Sequence, residues 1–209
     1  GEVDGERQTF TYDGVELRER GGDDGLPRLW ATRKIGYLLT EIRLHGEDPE
    51  LVDAIVDLSI RYGIVTPYTS YLITEDDILS DSGRERAAED VAAAAAPIES
   101  GEAAVDQSQG AASMADAEAP LPTPTIGAAG GAEGNPIRIV GSRAFIQQDG
   151  VWIETTFNPD TMETEKVAFA SDDYFALLAR YPDLAGPFAL GDRVIAISHG
   201  TAYEVTAEE

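Results

Sequence analysis

The sequence predicts an α+β fold in three parts: a small helical hairpin with flanking strands, a disordered acidic linker, and a small, mostly β module with one or two short helices. Three observations carry that reading. Apolar residues recur at helical spacing across residues 26–62, no Phe, Tyr or Trp occurs from Leu72 to Ala144, and from Pro136 short runs of strand-forming residues alternate with turn signals. The expected boundaries are 1–78, 79–135 and 136–209.

In the first part, Gln8 to Arg18 alternates well enough for an edge strand or hairpin. Leu26-Pro27 then opens a helix that runs to about His45. Proline in the first turn costs no intrahelical hydrogen bond, and Gly46 supplies the stop. Ile35, Leu38, Leu39 and Ile42 fall at i, i+3, i+4 and i+7, so they line one face. Asp48-Pro49 caps a second helix that ends at Gly63, with Leu51, Ile55, Leu58 and Tyr62 as its apolar stripe. The intervening His45–Asp48 link is short enough to force the two helices antiparallel. Ile64 to Ile73 reads as a strand, confined by Pro67 to an edge, an end or a bulge. Such a unit has an incomplete core and is expected to pack against something outside this chain.

The stretch from about Leu79 to Asn135 is rich in Ala, Gly and Pro and lacks aromatics, so it reads as a flexible linker that buries too little apolar area to offset its ordering entropy. Its alanine run over Arg84–Ala96 has the composition of a short helix, marginal in isolation. The third part then offers strands at Ile137–Val140, Arg143–Gln148, Val151–Thr156 and Lys166–Ala170. Asp149-Gly150 forms a tight hairpin turn. Ser171 caps a helix over Tyr174–Arg180, and Arg193–Ser198 with Ala202–Thr206 closes the chain as a hairpin around His199-Gly200. Phe145, Trp152, Phe157, Phe169, Tyr174 and Phe175 give this module aromatics of its own, enough for a fold with a thin independent margin.

The formal net charge of −24, from 15 basic and 39 acidic residues, is the reverse of the basic footprint that phosphate neutralisation requires, so a nucleic-acid partner is excluded. It also disfavours an anionic membrane leaflet. Lys34 and Lys166 are the only lysines. A carboxylate surface with scattered arginine fits high solubility in a salty medium, and equally the residue preferences of a GC-rich genome. Cysteine is absent, which excludes disulfides and thiolate metal sites. No apolar run is long enough to span a bilayer. The start at Gly1, without a methionine or an apolar leader, suggests a fragment or a processed product.

Residues able to carry chemistry do not assemble into a catalytic pattern. Glu75-Asp76-Asp77 and Asp23-Asp24 read as solvated loops rather than calcium ligands. His45 and His199 are too few for zinc and fall in different parts. Thr66, Thr69 and Ser70 lack the frame of an activated nucleophile. Trp30 and Tyr37 read as core residues, with a ligand platform as the alternative. No catalytic, cofactor or metal residue is assigned, and the chain is expected not to be an enzyme.

The block Leu26 to Ile73 contains LPRLWA at its start, HGE at its turn and TPYTS in its strand. In that order it resembles the segment following the von Willebrand factor A domain in bacterial relatives of the inter-alpha-trypsin inhibitor heavy chains. The likeness covers about Gln8 to Thr74. It implies a non-catalytic tail of an exported, extracellular or cell-envelope protein whose VIT and von Willebrand factor A domains lie upstream and are this segment's expected partners. Any divalent metal would sit in that upstream domain, since the D-x-S-x-S motif is missing here. The Asp-Pro-His-Phe glycan-attachment site of the heavy chains is also missing, so that activity is not carried over. The resemblance marks Leu29, Trp30, Ile35, Leu39, Ile42, Pro67 and Tyr68 as the interaction signature. A purely structural spacer and an accessory part of an enzyme remain the alternatives. A concave pocket holding Asp172, Asp173 or His199 would favour the enzyme, and an exposed apolar patch on the first helix would favour docking.

Overall fold

A computed structural model of the chain describes residues 23–66, 78–96, 98, 100–120 and 137–207, together with a two-residue strand pair at Glu2–Val3 (β1) and Glu6–Arg7 (β2). The expected strand at Gln8–Arg18 lies outside these residues. So does most of the Ile64–Ile73 segment, including Pro67 and Tyr68; its described residues, 64–66, have no regular secondary structure.

The helical hairpin forms as its punctuation predicts. Helix α1 spans Leu26–His45 with Pro27 in its first turn, and Gly46 takes a φ of 92° that a side chain would disfavour. Helix α2 spans Pro49–Tyr62. The Asp48 carboxylate accepts the Glu50 N–H at 2.9 Å, and Gly63 ends the helix in the left-handed region. Ile35, Leu38, Leu39 and Ile42 are all buried. On α2 the burial centre is shifted by one residue: Val52, Ile55, Val56 and Ile60 are buried, whereas Leu51, Leu58 and Tyr62 are only partly covered.

The expected linker differs most. Residues Asp81–Ala95 form helix α3, whose Ser80 cap accepts the Gly83 N–H at 3.0 Å, and Glu102–Ala115 form helix α4. Ala87, Val91 and Ala95 of α3, and Ala111 and Met114 of α4, are buried in the same core as the hairpin. The physical reason is close approach rather than bulk. A Cβ placed on Gly36 of α1 would come within 2.7 Å of the Ala111 carbonyl oxygen and 2.8 Å of the Met114 carbonyl carbon, so α4 lies directly against the α1 backbone. Small side chains bury little area each, but they let the helices approach closely enough to gain dense packing contacts. The incomplete core of the hairpin is thus completed from within the chain.

The third part is a six-stranded sheet in the order β3-β4-β5-β7-β8-β6. Its strands are β3 (Ile137–Val140), β4 (Arg143–Gln148), β5 (Val151–Glu154), β6 (Thr164–Ala168), β7 (Val194–Ser198) and β8 (Thr201–Thr206). The meander β3-β4-β5 and the hairpin β7-β8 are antiparallel; β5 with β7 and β6 with β8 are parallel. Both two-residue turns have positive φ at each position, Asp149 and Gly150 at 49° and 76°, His199 and Gly200 at 49° and 85°, matching the twist of hairpin strands. Helix α5 (Asp172–Arg180) begins at Ser171, whose Oγ accepts the Tyr174 N–H. A 3-10 turn at Pro182–Leu184 and the one-turn helix α6 (Ala185–Phe188) were not foreseen.

Strand alternation gives the sheet two apolar faces. Ile137, Ile146 and Ile153 are register neighbours and join the helical core, while Phe145, Trp152, Val194 and Ala196 pack with Tyr174, Leu184 and Phe188 on the other side. Of the six aromatics named for this module, Phe169 and Phe175 are exposed. Polar contacts stitch the two parts. The Asp160 carboxylate accepts the Asp81 N–H at 2.9 Å at the α3 N-terminus, and Thr155 Oγ1 donates to the Arg61 carbonyl at 3.3 Å.

Candidate functional site

Helix α1 is apolar on two faces, and the described residues cover only one. At about 100° per residue, Leu26, Trp30, Tyr37 and Leu44 fall within roughly 40° of one another, on the side opposite Ile35, Leu39 and Ile42. They are 58%, 55%, 51% and 62% exposed. The stripe is about 27 Å long at 1.5 Å per residue. A helix that is hydrophobic all round is ordinarily buried all round, so the uncovered stripe is the feature of this fold that asks for a partner. Trp30 and Tyr37, expected as core residues, are corrected to surface positions: the core side of α1 is already filled by α2 and by the close approach of α4.

The rest of the helix holds this surface in place. Arg28 is buried and donates from Nε to the Tyr62 carbonyl at 3.2 Å and from Nη2 to the Gly63 carbonyl at 3.4 Å, closing the C-terminus of α2. Burial pushes its guanidinium pKa below the ordinary value. Arg33 donates from Nε to the Ala115 carbonyl at 3.1 Å and does the same for α4. The Lys34 ammonium lies 4.9 Å from the centre of the Tyr37 ring, and Trp30 meets Tyr62 edge-on at 6.5 Å.

The seven signature residues therefore separate. Trp30 belongs to the exposed stripe, Leu29 is half-buried, and Ile35, Leu39 and Ile42 are core residues that no outside partner reaches. Pro67 and Tyr68 lie outside the described residues. Sequence reading missed Leu26 and Leu44. The available signal was their spacing from Trp30 and Tyr37, which places all four on one line.

A second concave feature lies at one end of the sheet, an open cleft of about 630 Å³ lined by Asp24, Arg143, Glu154, Asp183, Ser198 and His199 among others. Its polar groups are largely engaged with one another. Arg143 pairs with the buried Glu154 carboxylate through Nε, at 2.9 Å, and through Nη2, and it donates to the Asp183 carbonyl and the Ile197 carbonyl. Ser198 Oγ donates to Asp183 Oδ1 at 3.1 Å, while the His199 ring packs on Tyr181 with centroids 5.4 Å apart. The serine proton is thus directed to a carboxylate, and the neighbouring imidazole to a ring contact. Asp172 and Asp173 lie in the first turn of α5 and do not line this cleft.

Among the described residues, no group of three or more His, Asp or Glu side chains is arranged to hold a metal ion, and no helix is long and apolar enough to cross a membrane. Comparison with family models, with curated proteins and with solved structures returned no match.

Proposed function

We propose that this chain is a non-catalytic docking part of a larger exported protein of the VIT and von Willebrand factor A type, at the cell envelope or outside the cell. Its partner on that reading is a protein surface, foremost the upstream domains of the same polypeptide, and any divalent metal belongs to those domains. The single observation that supports docking is the uncovered stripe Leu26, Trp30, Tyr37 and Leu44 on a helix fixed on its other side. The LPRLWA, HGE and TPYTS motifs support the family.

Two measurements test it. The coding sequence preceding Gly1 is expected to contain a D-x-S-x-S motif after an apolar strand; its absence from the whole open reading frame overturns the family reading. A photo-crosslinking phenylalanine analogue at Tyr37 of the native protein is expected to yield a discrete adduct, mapped by mass spectrometry, that the same probe at the exposed Asp53 of α2 does not give. No adduct above that control overturns docking.

A second reading, an accessory part of an enzyme, is favoured by the cleft that places His199 beside Arg143, Glu154, Asp183 and Ser198. It requires that His199→Ala lower an activity of the parent protein while leaving its thermal midpoint unchanged.

A further inference from the structure

We propose that the exposed face of α1 receives an acidic amphipathic helix. The proposal rests on the docking reading above and specifies the chemistry of the occupant.

The geometry of the stripe selects a helix. Trp30, Tyr37 and Leu44 stand seven residues apart and Leu26 four residues earlier, the spacing of a coiled-coil seam, in which an apolar row on one helix meets an apolar row on another at a shallow crossing angle. A straight row is poorly matched to a globular knob.

Charge selects an acidic occupant. Helix α1 carries Arg28, Arg33, Lys34 and Arg43 against Glu41, and among the described helices it is the one with a basic excess, in a chain of net charge −24. Arg28 is buried as a cap, but Arg33 lies on the stripe between Trp30 and Tyr37, and Lys34 flanks it. Glu41 borders the stripe on the same side as Lys34 and lies 3.3 Å from His45, so the basic excess of this face is Arg33 and Lys34 against Glu41. An acidic helix is repelled by the rest of the surface and attracted here, so the overall charge restricts such a partner to this face. Repulsion from distant carboxylates is screened beyond about 8 Å at physiological ionic strength.

Size and charge argue against other occupants. Four side chains, each about half exposed, form a patch on the order of 400 Å², well under the roughly 800 Å² per partner of a stable interface, so the stripe alone does not hold two copies of this chain together. The same net charge opposes adsorption to anionic lipid. A patch of this size belongs with weak, transient interfaces.

The chain has two tryptophans, Trp30 half exposed on the stripe and Trp152 buried in the sheet core. Labelling with 5-fluorotryptophan therefore gives two ¹⁹F resonances in the unsubstituted protein, assigned with Trp30→Phe. The probe is a synthetic helical peptide of about 18 residues with leucine at seam positions and glutamate beside them. The Trp30 resonance is expected to move saturably while that of Trp152 stays, and the matching lysine-for-glutamate peptide is expected to leave both in place. Absence of any movement up to about 1 mM peptide, where even a −4 kcal/mol complex forms, overturns the proposal. Equal binding of the lysine peptide overturns it too. Movement of Trp30 on adding phosphatidylglycerol–phosphatidylcholine vesicles without peptide assigns the face to lipid, and movement with protein concentration alone assigns it to a second copy; each overturns the acidic-helix occupant. A Tyr37 crosslink together with a silent Trp30 resonance leaves the docking reading standing and removes only this chemistry.

Discussion

Glu154 accepts the backbone N–H of Ile197 at 2.8 Å, at the point where the parallel strands β5 and β7 stop pairing. The register runs Trp152 with Val194 and Ile153 with Ile195, and then the strands part. Arg143, reaching across from β4, donates to the Ile197 carbonyl at 2.7 Å and to Glu154 itself. One side-chain ion pair thus supplies both halves of a missing sheet rung, satisfying backbone groups that would otherwise be buried without partners.

Glu154→Ala is expected to destabilise the fold by about 3 kcal/mol or more, because it leaves the part-buried Arg143 charge and the Ile197 N–H without their acceptor. Arg143→Met with Glu154→Met should recover only the part of that loss that the unpaired charge causes, since the Ile197 N–H and carbonyl still lack their side-chain partners. Urea unfolding of the two variants gives the comparison. A single-variant cost below about 0.5 kcal/mol would show that the pair is not what closes the rung.

Glycine substitutions on facing helices are expected to have opposite signs. Gly36→Ala gains up to about 1 kcal/mol of helix propensity but drives a methyl into the Ala111–Ala115 backbone, and overpacking of that kind typically costs about 1–3 kcal/mol, with little room to relax against main chain. At Gly110 of α4 a Cβ meets nothing within 4 Å, so Gly110→Ala should raise stability by about 0.5–1 kcal/mol. Thermal midpoints of both variants check it; a stabilising Gly36→Ala would mean that α4 does not rest on α1.

What was legible in the sequence was whatever local chemistry decides. Asp48-Pro49, Gly63 and Ser171 place helix ends because capping is a matter of a few neighbouring atoms, and Asp149-Gly150 and His199-Gly200 place hairpins because positive φ restricts residue choice. Helix α3 was legible only as the alanine run over Arg84–Ala96, and α4 and the burial of both were illegible, for the complementary reason. Ala87, Ala95 and Ala111 carry almost no area that marks them as core; the burial of Ala111 depends on Gly36, many residues away, and that of Ala87 and Ala95 on the packing of α3 against α2. The exposure of Trp30 and Tyr37 was hidden likewise, since aromatic content says nothing about which side of a helix its neighbours fill. The parallel pairings of β5 with β7 and β6 with β8 depend on crossovers that no turn motif announces.

Alkaline pH should unfold the protein through its tyrosines. Tyr203 has its pKa raised above the ordinary value of 10.0 by burial, then by its hydrogen bond to Tyr181 and by the nearby Tyr181 and Glu165 charges, with a smaller opposing effect of Thr201. Burial raises Tyr174 as well. A raised folded-state pKa means that the folded protein holds these protons more tightly than the unfolded chain. The corresponding stability is fully present below about pH 10 and is lost as pH rises through the folded-state values. Tyr203→Phe should flatten the fall in thermal midpoint above about pH 10, measured by circular dichroism. An unchanged slope would place the alkaline transition elsewhere.

The two faces of α1 should respond differently to the same loss of apolar surface. Leu26→Gln with Leu44→Gln removes two exposed side chains that make few contacts, so folding stability should stay within about 0.5 kcal/mol of the parent. Ile42→Ala, one helical turn from Leu39 and fully buried, should cost about 2–5 kcal/mol through lost burial and the cavity left against α2 and α4. Denaturant midpoints measure the first consequence. The second concerns the Tyr37 photo-adduct, which the double glutamine variant should lose while remaining folded and which Ile42→Ala should keep at temperatures where it is folded. If the glutamine variant instead unfolds, the stripe is part of the core of this chain, and the reason for placing Trp30 and Tyr37 on a docking surface disappears.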